Sequence, residues 1–358
     1  MTGIRPLRAS DMPQVVPLLT RAFGYSATSR RADLVASFTR IFKDHPWSDP
    51  DTPSLVWEGP GGRILGFIGA ATRRMALDGT SVRLTCSSSL VADPDAGVPG
   101  IGAFLLKRML DGPQDVTITD SARDATSAMW FRLGGFVLPI GSLAWARPLR
   151  PVRLGLALLR HRLGGVPTTS LRPAAPARGW TPPLAITGLR VASPGLRSEP
   201  LDADAMLDQL PRMVDGARLV PDYDRAFLDF MFCELDQVRS RGRAVRRLVR
   251  DADGAVLGWY VAMHHQVGIW QVVQMIAPAS GAAQVMRQLL HEAQQAGAVA
   301  VYGRADARTI VADAFDNRTM LVPYTRYLVH TGDERISTAI RAGDAVLTGL
   351  EGDTWMHR

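Results

Sequence analysis

The stretch that most constrains this 358-residue chain is residues 90–136, where a strand end (Leu90-Val91) runs through Pro94 into Gly100-Ile101-Gly102-Ala103 and opens an apolar helix. A second short strand, Val116-Thr117-Ile118, and a helix ending Gly134-Gly135-Phe136 follow. That order, strand to glycine turn to helix and again, places the chain in the α/β class. Glycines at 100 and 102 let a backbone approach a ligand closely, and the helix behind them offers unpaired N–H groups and the positive end of its dipole. Two readings fit: a tight turn with no guest, or a cradle for a pyrophosphate.

The flanking segments supply context. Ile4-Arg5 reads as an opening strand, Ser10-Asp11 as a helix cap and Met12 to Phe23 as an apolar-periodic helix. Leu55 to Glu58, the turn Gly59-Pro60-Gly61-Gly62 and Ile64 to Ala70 form a hairpin pattern, and Asp78-Gly79 turns into a strand through Val82 to Val91. Asp124-x-x-Ser127-x-x-x-Phe131 and Gly135-Phe136 complete a succession that covers about residues 3–148. It resembles the GCN5-related N-acetyltransferase (GNAT) superfamily, whose coenzyme A motif reads Val-x-Pro-x-x-Arg/Gln-Gly-x-Gly-x-Gly/Ala.

The resemblance implies an acyl-CoA-dependent N-acyltransferase, with acetyl-CoA or another acyl-CoA as cosubstrate, an amine on a small molecule or peptide as acceptor, and no metal. It places the pyrophosphate on the backbone of Val98, Gly100, Ile101, Gly102 and Ala103. It also places a free N–H for the thioester carbonyl near Ser89, Leu90 and Val91. Two departures stand out. Gly97 replaces the Arg or Gln that meets phosphate in the family, and Pro99 removes one N–H from the cradle. Phe131 occupies the position where the family often has a tyrosine as general acid, and a phenyl ring has no proton to give. A catalytically silent acyl-CoA-binding or partner-binding protein of the same fold is therefore the alternative reading.

Composition narrows the setting. No run of about 18 apolar residues occurs, and the first residues lack the basic and apolar regions of a signal peptide, so the expected location is cytoplasmic. Cys86 and Cys233 lie in apolar segments without zinc spacing, and both are expected to be buried thiols. The net charge is +7, yet of 41 basic residues only Lys43 and Lys107 are lysines. Such arginine bias fits a GC-rich bacterial genome, and the scattered arginines make a poor nucleic-acid footprint.

After Trp145 the composition shifts. Val152 to Leu163 is a basic, helix-like stretch that reads either as a bridging helix or as a foot on a membrane surface. Prolines and glycines from Gly164 to Pro200 then rule out persistent helix. The organisation expected is residues 1–148 as one GNAT-like domain, 149–200 as basic helix and linker, and 201–358 as a second, degenerate GNAT-like domain, each with a mixed, mostly antiparallel twisted sheet flanked by helices. The second half repeats the order: helices over Pro200 to Val214 and Asp222 to Leu235, a hairpin through Asp253-Gly254, a strand over Ile269 to Ile276, a helix over Gly281 to Ala296, a strand over Ala298 to Tyr302 and a helix over Ala305 to Ala314. Its turn, Pro278-Ala279-Ser280-Gly281, lacks Gly-x-Gly, so one coenzyme per chain is expected. By architecture this resembles tandem bacterial acetyltransferases of the enhanced-intracellular-survival type and the peptidoglycan aminoacyl transferases.

For side-chain chemistry, Ser87, Ser88 and Ser89 are expected to alternate in direction along the strand, with Ser88 facing away from its neighbours. Ser88 is the candidate for ordering a water that takes the amine's proton; close strand packing is the other reading. Among carboxylates, Glu58 reads as a solvated strand end and Asp120-Ser121 as the cap of the next helix. His264 and His265 point to opposite faces of a strand and cannot share a metal. Tyr324 and Tyr327 read as packing residues on a late strand, and Arg341 to Trp355 as a strand and acidic turns that tie down the chain end. In some tandem acetyltransferases the terminal carboxylate acts as base, which the resemblance would assign to the end of Met356-His357-Arg358.

Overall fold

The computed structural model describes residues 3–24, 31–151, 153–155, 191–238, 242–309 and 318–353. The first half contributes β1 (Gly3–Pro6), α1 (Met12–Phe23), α2 (Arg31–Phe42), β2 (Leu55–Glu58), β3 (Ile64–Leu77), β4 (Thr80–Ala92), α3 (Ile101–Leu110), β5 (Val116–Ala122), α4 (Asp124–Arg132), β6 (Phe136–Val137) and β7 (Leu143–Pro148). The second contributes β8 (Arg197–Pro200), α5 (Ala203–Met213), β9 (Leu219–Pro221), α6 (Arg225–Gln237), β10 (Arg243–Arg250), β11 (Val256–His264), β12 (Ile269–Ile276), α7 (Ala279–Gln295), β13 (Ala300–Arg304), β14 (Met320–Pro323), β15 (Arg326–His330) and α8 (Glu334–Ala342).

Local chemistry sets these boundaries. In α1, Met12, Val15, Val16 and Leu19 form one buried stripe at helical spacing, and Gly24 stops the helix in a left-handed conformation with φ 65°. The long β3–β4 hairpin closes at Asp78 (φ 50°) and Gly79 (φ 82°), both left-handed, as a tight two-residue turn requires. Asp224 caps α6 by accepting the Phe227 N–H at 2.8 Å.

Two mixed, mostly antiparallel sheets result, each flanked by helices: two tandem GNAT-like units. The first runs β1-β2-β3-β4-β5-β15-β6, with β9 added on β3; the second runs β14-β7-β13-β12-β11-β10-β8. Among the described residues, the parallel strand pair in the first sheet is β4/β5 and in the second β12/β13. The units exchange strands reciprocally. β15, from the second half, lies between β5 and β6, while β7, from the first half, lies between β13 and β14. The main core joins both halves: Phe67 and Met75 of β3 share it with Phe227 of α6, Trp259 of β11 and Tyr327 of β15. Smaller cores lie under α3 and α7.

Several expectations are corrected. Asp11 does not cap α1 through its side chain; its carboxylate binds Arg5 at 2.7 and 2.9 Å and the Arg8 N–H, tying β1 to the helix start. Cys233 is exposed on α6, where Gln237 one turn later donates to its sulfur at 3.0 Å; only Cys86 is buried. Residues 305–309 form loop and turn rather than helix, because Thr309 N–H closes back on Asp306 at 3.1 Å, and 310–317 lie outside the described residues. Most of 152–163 and the end from Thr354 also lie outside them. Residues 341–353 form no continuous strand: α8 ends at Ala342 with Gly343 left-handed at its cap, Ala345 makes a single parallel bridge to Leu219, and the expected turns follow from Gly349 to Asp353.

Candidate acyl-CoA site

The parallel register of β4 and β5 pairs Leu84 with Val116, Thr85 with Thr117 and Cys86 with Ile118, and ends there. Beyond Cys86 the two strands part into a notch. At the same level β4 bulges against β3, where Gly69 pairs with Ser88 but Phe67 with Val91, leaving Ser89 and Leu90 opposite one residue of β3. Ser89 takes φ 56°, a left-handed conformation that costs a non-glycine residue of order 1 kcal/mol. The bulge overturns the expected alternation, because it turns Ser89 towards the side of Ser88, and the two hydroxyls lie 3.1 Å apart. All three serines are buried.

After β4 the chain is fixed at Asp93. Its N–H donates to Leu65 O at 2.7 Å, its carboxylate accepts Asp95 N–H at 3.1 Å, and Arg63 pairs with it at 2.5 Å. The Asp95 N–H, and then Arg63, hold the Asp93 carboxyl below its ordinary range despite partial desolvation. Arg21 adds an ion pair to Asp95 at 2.9 Å, so both acids of the loop face a cation. The turn then uses two left-handed glycines, Gly97 (φ 67°) and Gly100 (φ 81°), and Gly100 caps α3. The amides of Ile101, Gly102 and Ala103 form the first turn of that helix and have no intrahelical acceptor. A Cβ at Gly97 would meet nothing within 4 Å, and Val98 is 41% exposed, so the turn is open to solvent. These residues fit an anion such as a pyrophosphate. Leu90 and Val91 sit behind them, half-buried and buried, with Leu90 Cδ1 facing Gly102.

The corresponding turn of the second unit differs. Pro278 caps α7, and a Cβ at Gly281 would lie 2.7 Å from Leu257 O. That glycine lets α7 press on β11.

The chain's own tail crosses both notches. β12 bulges at Val273, beside the point where it leaves β13, and Val273 O accepts the Gly349 N–H at 2.8 Å. Four residues on, Asp353 meets β5 beyond the first notch: its carboxylate accepts Asp120 N–H at 2.9 Å and Ser121 Oγ–H at 2.5 Å, and its N–H donates to Asp120 Oδ1 at 2.8 Å. A side chain at Gly352 would collide with the Asp120 carboxylate, and a Cβ at Gly349 would lie 2.5 Å from Val273 O. Asp120 is therefore no helix cap. It lies within β5, two residues before the strand ends at Ala122, buried, with Arg304 Nε 3.5 Å away, and Arg123 stands at the helix cap. Arg304 spans the units, donating to Gly141 O, Thr325 O and Asp120 O. A pocket lined by Asp120, Gln271, Tyr302, Arg304 and Tyr324 lies between the notches.

Under the first notch lies a buried polar group assembled from segments far apart in the chain. Arg73 of β3 donates to Leu350 O at 3.3 Å and lies 3.3 Å from the His45 ring. Tyr223 donates to Glu351, which also accepts the N–H and hydroxyl of Thr348. Burial raises the Glu351 carboxyl, the Tyr223 hydroxyl and the Cys86 thiol above their ordinary ranges, and burial and then the charge of Arg73 push His45 down to about 2. An arginine inside a strand pattern was the only local hint. Glu58 ends β2, half-buried, and pairs with Arg5. His265 is buried against Gln271 and the His264 ring lies tilted beside Trp270, and among the described residues no group of three or more His, Cys, Asp or Glu could hold a metal. Phe131 is 46% exposed on α4.

No family model matches the sequence, and no curated protein matches it. Among solved structures, a GCN5-related N-acetyltransferase from Anabaena variabilis aligns over 93% of this chain and 73% of its own, with TM-score 0.57 and 12% identity. One from Kribbella flavida aligns over 92% and 70%, with TM-score 0.56 and 14% identity. The N-myristoyltransferase of Saccharomyces cerevisiae, with bound myristoyl-CoA and inhibitors, aligns over 92% and 80%, with TM-score 0.53 and 12% identity. The chain has the GNAT fold. At such identities the likeness extends to the fold alone. Among the described residues no helix is long and apolar enough to cross a membrane.

Proposed function

We propose that the first unit binds acyl-CoA and transfers its acyl group to an amine, and that the second unit is a scaffold that binds no coenzyme. The observation that carries this reading is the coincidence, at one end of β4, of the left-handed Ser89 bulge, the parting of β4 from β5, and a left-handed glycine capping α3. In this reading the amides of Val98, Gly100, Ile101, Gly102 and Ala103 bind pyrophosphate, and a β4 N–H within Ser89 to Val91 holds the thioester carbonyl. The amine nitrogen attacks the thioester carbon and the C–S bond breaks; the paired hydroxyls of Ser88 and Ser89 hold a water that accepts the amine's proton, and the CoA thiolate leaves as the anion and takes its proton from solvent. The acceptor is an amine on a small molecule or a peptide.

Phe131 favours a second reading, a silent acyl-CoA-binding protein, because it is exposed and carries no proton to give a thiolate. Thermal unfolding with CoA and acetyl-CoA, followed by an amine panel, tests both. A ligand at a hundred times its Kd raises stability by about 2.7 kcal/mol. A shift with CoA and acyl transfer to at least one amine supports the enzyme, a shift without transfer to any amine supports the silent protein, and no shift contradicts both.

A further inference from the structure

Along β3, Phe67, Gly69, Ala71 and Arg73 face one side of the first sheet, with Val91, Ser88, Cys86 and Leu84 across from them on β4. That side packs on α1 and α2, in the core that holds Leu19 and Phe38. The other side packs on α3 and α4 through Ile101, Leu105 and Trp130. In the acyl-CoA reading, a thioester anchored by its pyrophosphate at the start of α3 would enter the notch from the α3 side, and its acyl group, passing between the strands, would emerge beside Ser88 and Gly69 on the α2 side.

Phe42 occupies that exit. It is the last residue of α2, and its ring lies so close on Gly69 that a methyl group there would collide with it. The ring stacks on Phe38 at 5.9 Å and 8°, meets Phe67 edge-on at 5.3 Å and 68°, and is 5% exposed. The backbone behind it is fixed as well: Ser54 Oγ donates to Phe42 O at 3.4 Å and accepts the Ala70 N–H at 2.9 Å, joining the end of α2 to β3. A ring held by two aromatic neighbours and a tethered carbonyl is a wall, because a close-packed core yields little to an extra methylene.

We propose that Phe42 sets acyl length, restricting the first unit to acetyl and similarly short acyl groups. The inference rests on the acyl-CoA reading of that unit and narrows its substrate class. It is tested on the full chain by calorimetric titration with CoA, acetyl-CoA, hexanoyl-CoA and myristoyl-CoA below its micellar concentration, using wild type, Phe42→Ala and the milder Phe42→Leu. Wild type is expected to gain nothing from lengthening the acyl group. Phe42→Ala is expected to bind hexanoyl-CoA at least about tenfold more tightly than acetyl-CoA, as burial of a few methylenes would give, with Phe42→Leu between the two and CoA itself unchanged. If wild type binds hexanoyl- or myristoyl-CoA at least about tenfold more tightly than acetyl-CoA, or if both folded variants keep the wild-type order, the acyl chain lies elsewhere and the inference falls while the coenzyme reading stands. If CoA itself does not bind, the coenzyme reading falls and takes the inference with it. Where Phe42→Ala fails to fold, Phe42→Leu is read in its place, and a wild-type gain with chain length overturns the inference by itself.

Discussion

The two notches share their backbone design and differ in what reaches them. In each, two parallel strands part beside a bulge, at Ser89–Leu90 in β4 and at Val273 in β12. The first leads to a helix capped by a left-handed glycine with open space around its turn. The second leads to a helix capped by proline, its glycine spent on packing against Leu257 and its bulge carbonyl taken by Gly349. The fold thus supplies a notch twice, and the two differ in the turn that follows and in how closely the tail and the neighbouring strand press on it.

Substitution at the two glycine turns is the sharpest way to break this comparison. Gly100→Val is expected to lower CoA affinity by about a hundredfold or more, because a β-branched residue at φ 81° cannot keep the turn. Gly281→Ala is expected to leave CoA affinity unchanged and to lower stability by about 1–3 kcal/mol through its clash with Leu257 O. Calorimetry and chemical denaturation of both variants separate these effects, and equal loss of affinity in both would dissolve the distinction.

The strand exchange gives the next expectation. A fragment ending at Gly155 lacks β15, leaves β5 as an open edge and holds β7 without partners, so it is expected to aggregate or unfold when produced alone. Co-production with residues 191–358 is expected to restore a soluble, cooperatively unfolding complex. A stable, monomeric N-terminal fragment would show that the shared core is dispensable.

Much of the fold could be read from the chain because its signals are local: hairpin turns such as Asp78-Gly79, the apolar stripe of α1, the glycine turn before α3. The exchange of β7 and β15 could not, since both are short strands whose sequences name no partner. The bulge escaped because Ser87-Ser88-Ser89 carries no mark of a left-handed residue. Asp120 looked like a cap because an acid before a serine usually is one, and its true partner, Asp353, lies 233 residues away.

Two smaller effects sharpen the first notch. Ser88→Ala is expected to lower acyl-transfer turnover by about tenfold, a loss of about 1.4 kcal/mol, if the paired serines hold the relay water. Unchanged turnover would make them packing residues. His45 bears on stability. Its folded pKa lies far below the unfolded value of about 6.5, so its contribution is complete above pH 6.5 and is lost as pH falls below it. From pH 6.5 to 5 the loss is about 2 kcal/mol, and denaturation midpoints of His45→Gln should fall less steeply over that range than those of wild type.

Stoichiometry tests the central claim most directly. Calorimetric titration of the full chain with CoA is expected to saturate at one coenzyme per chain, with Gly100→Val abolishing the whole signal. Saturation near two per chain would contradict the account, because it would mean that a proline-capped helix and a bulge carbonyl held by Gly349 still leave the second notch able to bind.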